Sequence, residues 1–384
     1  MARWIVGALL LGGCLAEAHE PARPAVSARP AALIGGFEAD TPQLDAVGSL
    51  SRLYPAGADE AGEDAGVPDN LSLALTCTGV LIDARTVVTA KRCGDQYLTA
   101  ARNGGALMFA IGPDAVRPRA LAAVLAVDGA PGDTGGYAGV GHDVSVMHLD
   151  RAITGVTPVK LATLDNSQIG QEFAGVGYGQ PDNITPPGKR LVGALQLKAL
   201  TGRTYELVYG SFDAYFTRLH KVPVPGYCID PTPEAAQTEA CIITAQDRKD
   251  YNNTLLEQSG DVLLSSEVGG GQPCYGDNGG PLLRANAAGE LVAYAVVSQA
   301  TSSDGVACDV GAVYSQFTPE VLSFIQQAQA WQDPCANVSP VAVCNGDKVR
   351  RCSSLEEGER RVIEMDCATL GMHCSISEAG ASCH

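Results

Sequence analysis

The chain has 384 residues, of which 46% are hydrophobic and 18% charged, a composition that supports buried cores and excludes a disordered or fibrous chain. Its formal net charge of -17 repels phosphate backbones and anionic headgroups, so nucleic acid is excluded as a natural partner and basic or neutral polypeptides are favoured. The length suggests two or three compact units.

The first residues, MARWIVGALLLGGC, place one positive charge before a short apolar run that ends in Leu11-Gly12-Gly13-Cys14. This resembles a bacterial lipoprotein signal over residues 1–14, with Cys14 as the lipidated residue. Cleavage after Ala16-Glu17-Ala18 is the competing reading. Lipidation is preferred because the apolar run stops at Gly13 and the box follows directly. Either route exports the chain, and the expected location is the bacterial cell envelope, at the outer membrane or cell surface. No later stretch is apolar enough to span a bilayer, so membrane contact is expected through the lipid anchor alone. Residues 15–32, rich in Ala and Pro, read as a tether. Of the 13 cysteines, setting Cys14 aside leaves 13 - 1 = 12, an even number suited to disulfides in an oxidising compartment.

From Leu33 onward, short runs such as LTCTGVLI, TVVTA, DVSVMHL and LVAYAVVS alternate and are rich in β-branched residues, which indicates an all-β sandwich or barrel. Helix is predicted mainly over Thr318 to Trp331, where Thr318 caps, Pro319 fits the first turn, and Val321, Ile325 and Ala328 share a face. After Pro334, Cys335, Cys344, Cys352, Cys367, Cys374 and Cys383 mark residues 335–384 as a small module that depends on disulfides. Six cysteines allow about fifteen pairings, which stay open. Cys367 and Cys374 lie near His373 and His384, but paired C-x-x-C knuckles are missing and exported thiols oxidise. No metal and no cofactor is therefore expected.

Four blocks carry a family resemblance: LIGG at 33–36, CTGVLIDARTVVTAKRC at 77–93, HDVSVMHL at 142–149 and GGGQPCYGDNGGPLL at 269–283. GVGYG at 175–179 and GAVYSQF at 311–317 agree in order and kind. Residues 33–332 thus resemble the chymotrypsin-like, or trypsin-like, serine protease family. The resemblance implies two perpendicular six-stranded antiparallel β-barrels joined near residues 155–170, a cleft between them and a C-terminal helix. It also implies disulfides Cys77–Cys93, Cys228–Cys241 and Cys274–Cys308. A further family pair is absent at both ends, where Phe173 and Arg284 stand.

Peptide hydrolysis in this family uses a hydroxyl nucleophile, an imidazole base and a carboxylate that orients the imidazole. Asp143 matches the carboxylate. The histidine position, just before Cys93, holds Arg92, which cannot act as a base near neutral pH. The serine position holds Asn278, whose amide is no nucleophile. His142 is expected to point away from Asp143 along an extended segment, and His148 to be a surface or strand-end residue. A bidentate ion pair between Arg92 and Asp143 is predicted. Gly276, Gly279 and Gly280 are expected to preserve the turn, leaving the backbone N–H groups of Gly276 and Asn278 able to bind a carbonyl. Gln272 falls at the floor of the specificity pocket, with Ser298, Gln299 and Ala300 along a wall. Asp277 matches the aspartate that pairs with a cleaved amino terminus, yet the nearest upstream basic residue, Arg29, precedes Pro30 and makes a poor cleavage site.

Insertions at 55–70, 129–139 and 242–273 surround the expected cleft, and such loops are where binding tends to reside. The sequons at Asn70, Asn183, Asn252 and Asn337 are read as chance in an exported bacterial chain. The expectation is a lipid-anchored serine protease homologue that has lost catalysis and binds a polypeptide or an envelope component. The alternatives are an active endopeptidase with a non-standard site, and a structural lipoprotein whose Cys-rich tail makes the interaction.

Overall fold

The computed structural model describes residues 36–55, 71–102, 105–132, 142–181, 185–220, 239–256, 260–265, 271–300, 308, 311–336, 338–339, 341–354, 360–377 and 380–384. Cys14, the tether, Leu33 to Gly35, Cys228 with its predicted bridge, and most of the insertions at 55–70 and 129–139 lie outside the described residues.

The chain enters through β1 (Phe37–Glu38) and then builds a closed barrel. Its strands are β2 (Val47–Pro55), β3 (Leu71–Asp83), β4 (Thr86–Thr89), β5 (Ala106–Ile111), β6 (Ala120–Gly129) and β7 (Ser145–Leu149). They pair antiparallel in the order β2-β3-β4-β7-β6-β5, and β5 returns to β2 with Phe109 opposite Leu50. The runs TVVT and SVMHL are buried along their whole length, which explains why they read as continuous β-branched and apolar segments. Leu50, Val80, Val88, Leu107, Phe109, Val146 and Met147 fill the interior.

One helix interrupts this barrel, α1 (Lys91–Arg102), and it departs from the sequence reading, which placed helix mainly near the C-terminus. Gly94 hid it, because glycine costs about 1 kcal/mol in a helix interior. The packing requires that glycine: a Cβ there would lie 2.9 Å from both Ser145 Oγ and Val127 Cγ1. The helix is thereby brought against β6 and β7.

After β8 (Lys160–Leu161) come β9 (Glu172–Gly177) and β10 (Leu191–Ala199). An excursion then begins at β11 (Gly202–Arg203) and returns at β12 (Leu255–Leu256), which pairs with it. Between them stand α2 (Thr204–Tyr209), α3 (Phe212–His220) and α4 (Glu239–Asn253). Tyr205, Phe212, Tyr215, Phe216 and Tyr251 form a separate aromatic core there, and the Arg248 guanidinium lies 4.0 Å over the Phe212 ring. The insertion thus starts well before residue 242, and its aromatic residues, which suit strands, are buried by helices packing on one another.

The second barrel is completed by β13 (Asp261–Ser265), β14 (Pro281–Ala285), β15 (Leu291–Ala300) and β16 (Ala312–Gln316). The antiparallel ring β9-β10-β13-β16-β15-β14 closes because β9 pairs with both β10 and β14, while β1 adds to β10 and β8 adds parallel to β15. Both six-stranded barrels implied by the resemblance are therefore present. Phe173, Leu195, Val262, Leu282, Val297 and Tyr314 line the second interior. The first core runs on through Val176, Tyr178, Leu283, Val296 and Phe317, so one apolar seam joins the two barrels. Phe173 and Arg284 meet across β9 and β14, with the guanidinium 5.6 Å from the ring centre, so a cation–π contact occupies the place of the absent disulfide.

The helix α5 (Pro319–Gln329) forms as expected: Thr318 Oγ1 accepts from the Val321 N–H at 3.2 Å, and Val321, Ile325 and Ala328 are buried. It crosses back to the first barrel, where Trp331 stacks on His148 at 4.4 Å. The terminal module contains β17 (Val343–Asn345), β18 (Lys348–Ser354) and β19 (Arg360–Asp366) in one sheet, and β20 (Cys374–Ser377) with β21 (Gly380–Cys383) in a second. Its pairings, which the sequence left open, are Cys335–Cys352, Cys344–Cys374 and Cys367–Cys383. The core they enclose is small, with Val349, Cys367 and Ala381 buried at its centre.

Candidate active site

Asp143 is the centre of the site, 1% exposed, where the chain enters β7. Its Oδ1 accepts the backbone N–H groups of Lys91 at 2.7 Å and Arg92 at 3.3 Å, both in the first turn of α1. A carboxylate fits there because the leading N–H groups of a helix have no partner within it. Its Oδ2 accepts the Ser298 hydroxyl at 2.5 Å, reaching across from β15 in the second barrel. The Ser298 hydroxyl is therefore committed to Asp143.

The Arg92 guanidinium also meets Asp143, with Nε 3.5 Å from Oδ2. The ion pair is present, but it is a single contact and not the bidentate fork predicted. The reason is that Oδ1 is already filled by the helix N-terminus and Oδ2 by Ser298, so no carboxylate edge is left for two parallel hydrogen bonds. The Arg92 side chain remains 40% exposed. Its neighbour Lys91 turns away, donating Nζ to the carbonyls of Ala130 at 2.7 Å and Gly132 at 2.6 Å. Asp95, one turn further along α1, has its carboxyl pushed up by burial and by the charge of Asp143.

Asn278 sits on the turn before β14, its carbonyl held against β3, which a disulfide ties to α1. The Cys77–Cys93 bridge anchors the start of α1 to β3, and the Thr78 N–H donates to the Asn278 carbonyl at 2.8 Å. The Thr78 hydroxyl donates to the Gly276 carbonyl at 2.9 Å and accepts the Tyr178 N–H at 3.1 Å. Two glycines are required by conformation: Gly276 has φ +95° and Gly279 has φ +79°. A Cβ at Gly279 would also collide with Thr89 Oγ1 and the Thr78 carbonyl. Among the described residues, the N–H groups of Gly276 and Asn278 have no hydrogen-bond partner, so the two donors expected to bind a carbonyl are open.

Asp277 lies beneath this turn, fully buried, accepting Gly179 N–H at 2.7 Å and Cys274 N–H at 2.9 Å. No cation contacts it among the described residues, and burial pushes its carboxyl up to about 7 against the two backbone hydrogen bonds. The Cys274–Cys308 bridge holds the same segment from the far side. Gln272 is buried, and the Tyr314 hydroxyl is buried without a partner among the described residues. Gln299 is half-buried, and Ala300 ends β15. Tyr275, 60% exposed, stands at the rim next to Gly276.

Neither histidine near Asp143 joins the site. His142 has φ +72°, so it lies in a tight turn and not on the extended segment expected. Its carbonyl accepts the Val144 N–H at 2.7 Å, which closes that turn. His148 stands at the strand end foreseen for it, in β7, but is buried and not at the surface: its Nε2 lies 2.7 Å from Asp128 and its ring is covered by Trp331. The roles of Thr78, Ser298 and Gly179 as braces across the barrels were not foreseen. Each depends on approach between strands distant in sequence, which no local pattern signals.

The trypsin family model matches residues 64–201. Over those residues, about a third of the chain, it is similar to the trypsin family, and the two closed rings of strands are in keeping with that resemblance. Among solved structures, a mouse serine protease expressed in the limbic system of the brain, neuropsin, is similar at 17% identity and a TM-score of 0.44, covering 77% of this chain and 98% of its own. No curated protein matches.

Proposed function

We propose that the chain is an exported, lipid-anchored serine protease homologue without peptidase activity, which acts by binding a polypeptide or another component of the cell envelope. The observation that carries this reading is the pair Arg92 and Asn278, placed around a carboxylate that keeps its backbone and Ser298 donors. A guanidinium stays protonated far above neutral pH and an amide is no nucleophile, so the acyl-enzyme route has neither its base nor its attacking atom. The turn that would present the nucleophile is nevertheless braced by Thr78, Gly276 and Gly279, and its two backbone donors remain open. Groups that bind a carbonyl thus outlast the groups that would attack one.

Residues 33–384 are to be compared with the Arg92→His, Asn278→Ser double variant in peptide hydrolysis and in labelling by a serine-directed fluorophosphonate. Silence from the natural sequence with labelling of the double variant is expected. Turnover by the natural sequence, abolished by the fluorophosphonate, would establish the endopeptidase alternative and overturn the reading.

A second reading rests on the terminal module, where Val341, Leu370 and Ile376 are exposed, Ile376 at 73%. Apolar side chains on a small disulfide-bonded unit favour a contact made by the tail. Deleting residues 335–384 separates the two: retained partner binding supports the barrels, and lost binding supports the tail.

A further inference from the structure

Three features meet at the first turn of α1. Arg92 carries a permanent charge, and its buried Nε, which makes no hydrogen bond, lies 3.5 Å from Asp143 Oδ2 as an ion-pair contact; among the described residues its two terminal nitrogens have no hydrogen-bond acceptor. The N–H groups of Gly276 and Asn278 are open on the facing turn. The Cys77–Cys93 bridge and the Thr78 N–H to Asn278 carbonyl bond hold those two segments against each other. The geometry points to recognition of a carboxylate: the former active site takes the free C-terminal end of a polypeptide, not the middle of a chain.

A peptide carbonyl has one oxygen to satisfy, and two backbone donors are enough for it. A carboxylate has two oxygens and a charge, and this site offers unused donors on both sides, those of the Arg92 side being cationic. One oxygen is placed in the backbone donor pair and the other meets the Arg92 terminal nitrogens, in the direction where an uncharged imidazole would favour neither. Asp143 keeps its charge and offsets part of this attraction, but its oxygens are occupied by Lys91 N–H, Arg92 N–H and the Ser298 hydroxyl, so the terminal nitrogens of the guanidinium stay available to donate. The histidine-to-arginine replacement that would remove a base thereby supplies a counter-charge for the end of a cleaved chain. Tyr275 at the rim offers an exposed ring on which the last side chains of such a peptide can pack.

The inference rests on the polypeptide-binding reading and is tested separately from it. The full chain is passed over two random octapeptide libraries immobilised through their N-termini, one ending in a free carboxylate and one in a carboxamide. Retention by the acid library that exceeds the amide library by roughly tenfold or more is expected, falling to parity in Arg92→Gln and partly restored in Arg92→Lys, which keeps the charge without the fork. Equal retention on both libraries would leave polypeptide binding standing and overturn recognition of the end. Retention on neither would overturn both. The comparison of acid with amide on the unaltered chain needs no variant to fold. A preference for acid that survives unchanged in a folded Arg92→Gln protein would place the carboxylate elsewhere and overturn the assignment.

Discussion

Asp277 provides the sharpest test of the electrostatics beneath the turn. Its carboxyl ordinarily titrates at 3.8, and burial raises it to about 7 in the folded chain, despite two backbone hydrogen bonds. Between those values the folded state holds a proton that the unfolded state has released, so stability is full below pH 3.8, falls as pH rises toward 7, and is flat above. Three pH units correspond to about 4 kcal/mol at most, at roughly 1.4 kcal/mol per unit. Asp277→Asn removes the titration. Its amide NH2 must then face one of the two N–H donors, which costs about 1–3 kcal/mol at every pH. Urea unfolding of both proteins across this range, with disulfides intact, is expected to show a stability difference that drifts by several kcal/mol. Parallel curves for the two proteins would refute the buried, unpaired carboxylate. A cut before Leu33 that seated a new ammonium beside Asp277 is expected to flatten the same slope, because an opposite charge keeps the carboxylate ionised.

Thr78→Val leaves the Gly276 carbonyl and the Tyr178 N–H without their shared hydroxyl, so a loss of about 1–3 kcal/mol is expected by chemical denaturation. In the fluorophosphonate-reactive double variant the same change is expected to lower labelling, because the turn loses its brace. Arg190 is fully buried, donating to the carbonyls of Ala39, Leu44 and Thr41 and pairing with Asp45 at 3.0 Å. Arg190→Met strands those three carbonyls, while Asp45 keeps Arg119 as its partner, and a loss of about 3 kcal/mol in unfolding free energy is expected. Phe212→Ala removes the ring shared by Tyr215, Phe216, Tyr251 and Arg248, which is expected to cost about 3–5 kcal/mol locally. Amide exchange is expected to quicken in residues 204–253 while the two barrels keep their protection.

The barrels were legible because β-branched, buried strands leave a dense local pattern, and TVVT and SVMHL read as strands without any partner being known. The cap at Thr318 and the periodicity after it made α5 legible for the same reason. The identities of Arg92, Asp143 and Asn278 are likewise properties of the chain alone, since motif spacing brings them to notice and their chemistry belongs to their side chains. Helix α1 was hidden by Gly94, whose purpose appears only where Ser145 and Val127 approach it. The helices within 204–220 and 239–253 were hidden because an aromatic cluster looks β-like until the helices that bury it are packed together. Only the tertiary structure could decide how Arg92 meets Asp143. The carboxylate edge is divided among two amides of α1 and a hydroxyl from the other barrel, 155 residues away. Sequence determines which charges and donors exist; the closing of two barrels determines which of them are already spoken for, because a lone pair filled by one neighbour is no longer available to another.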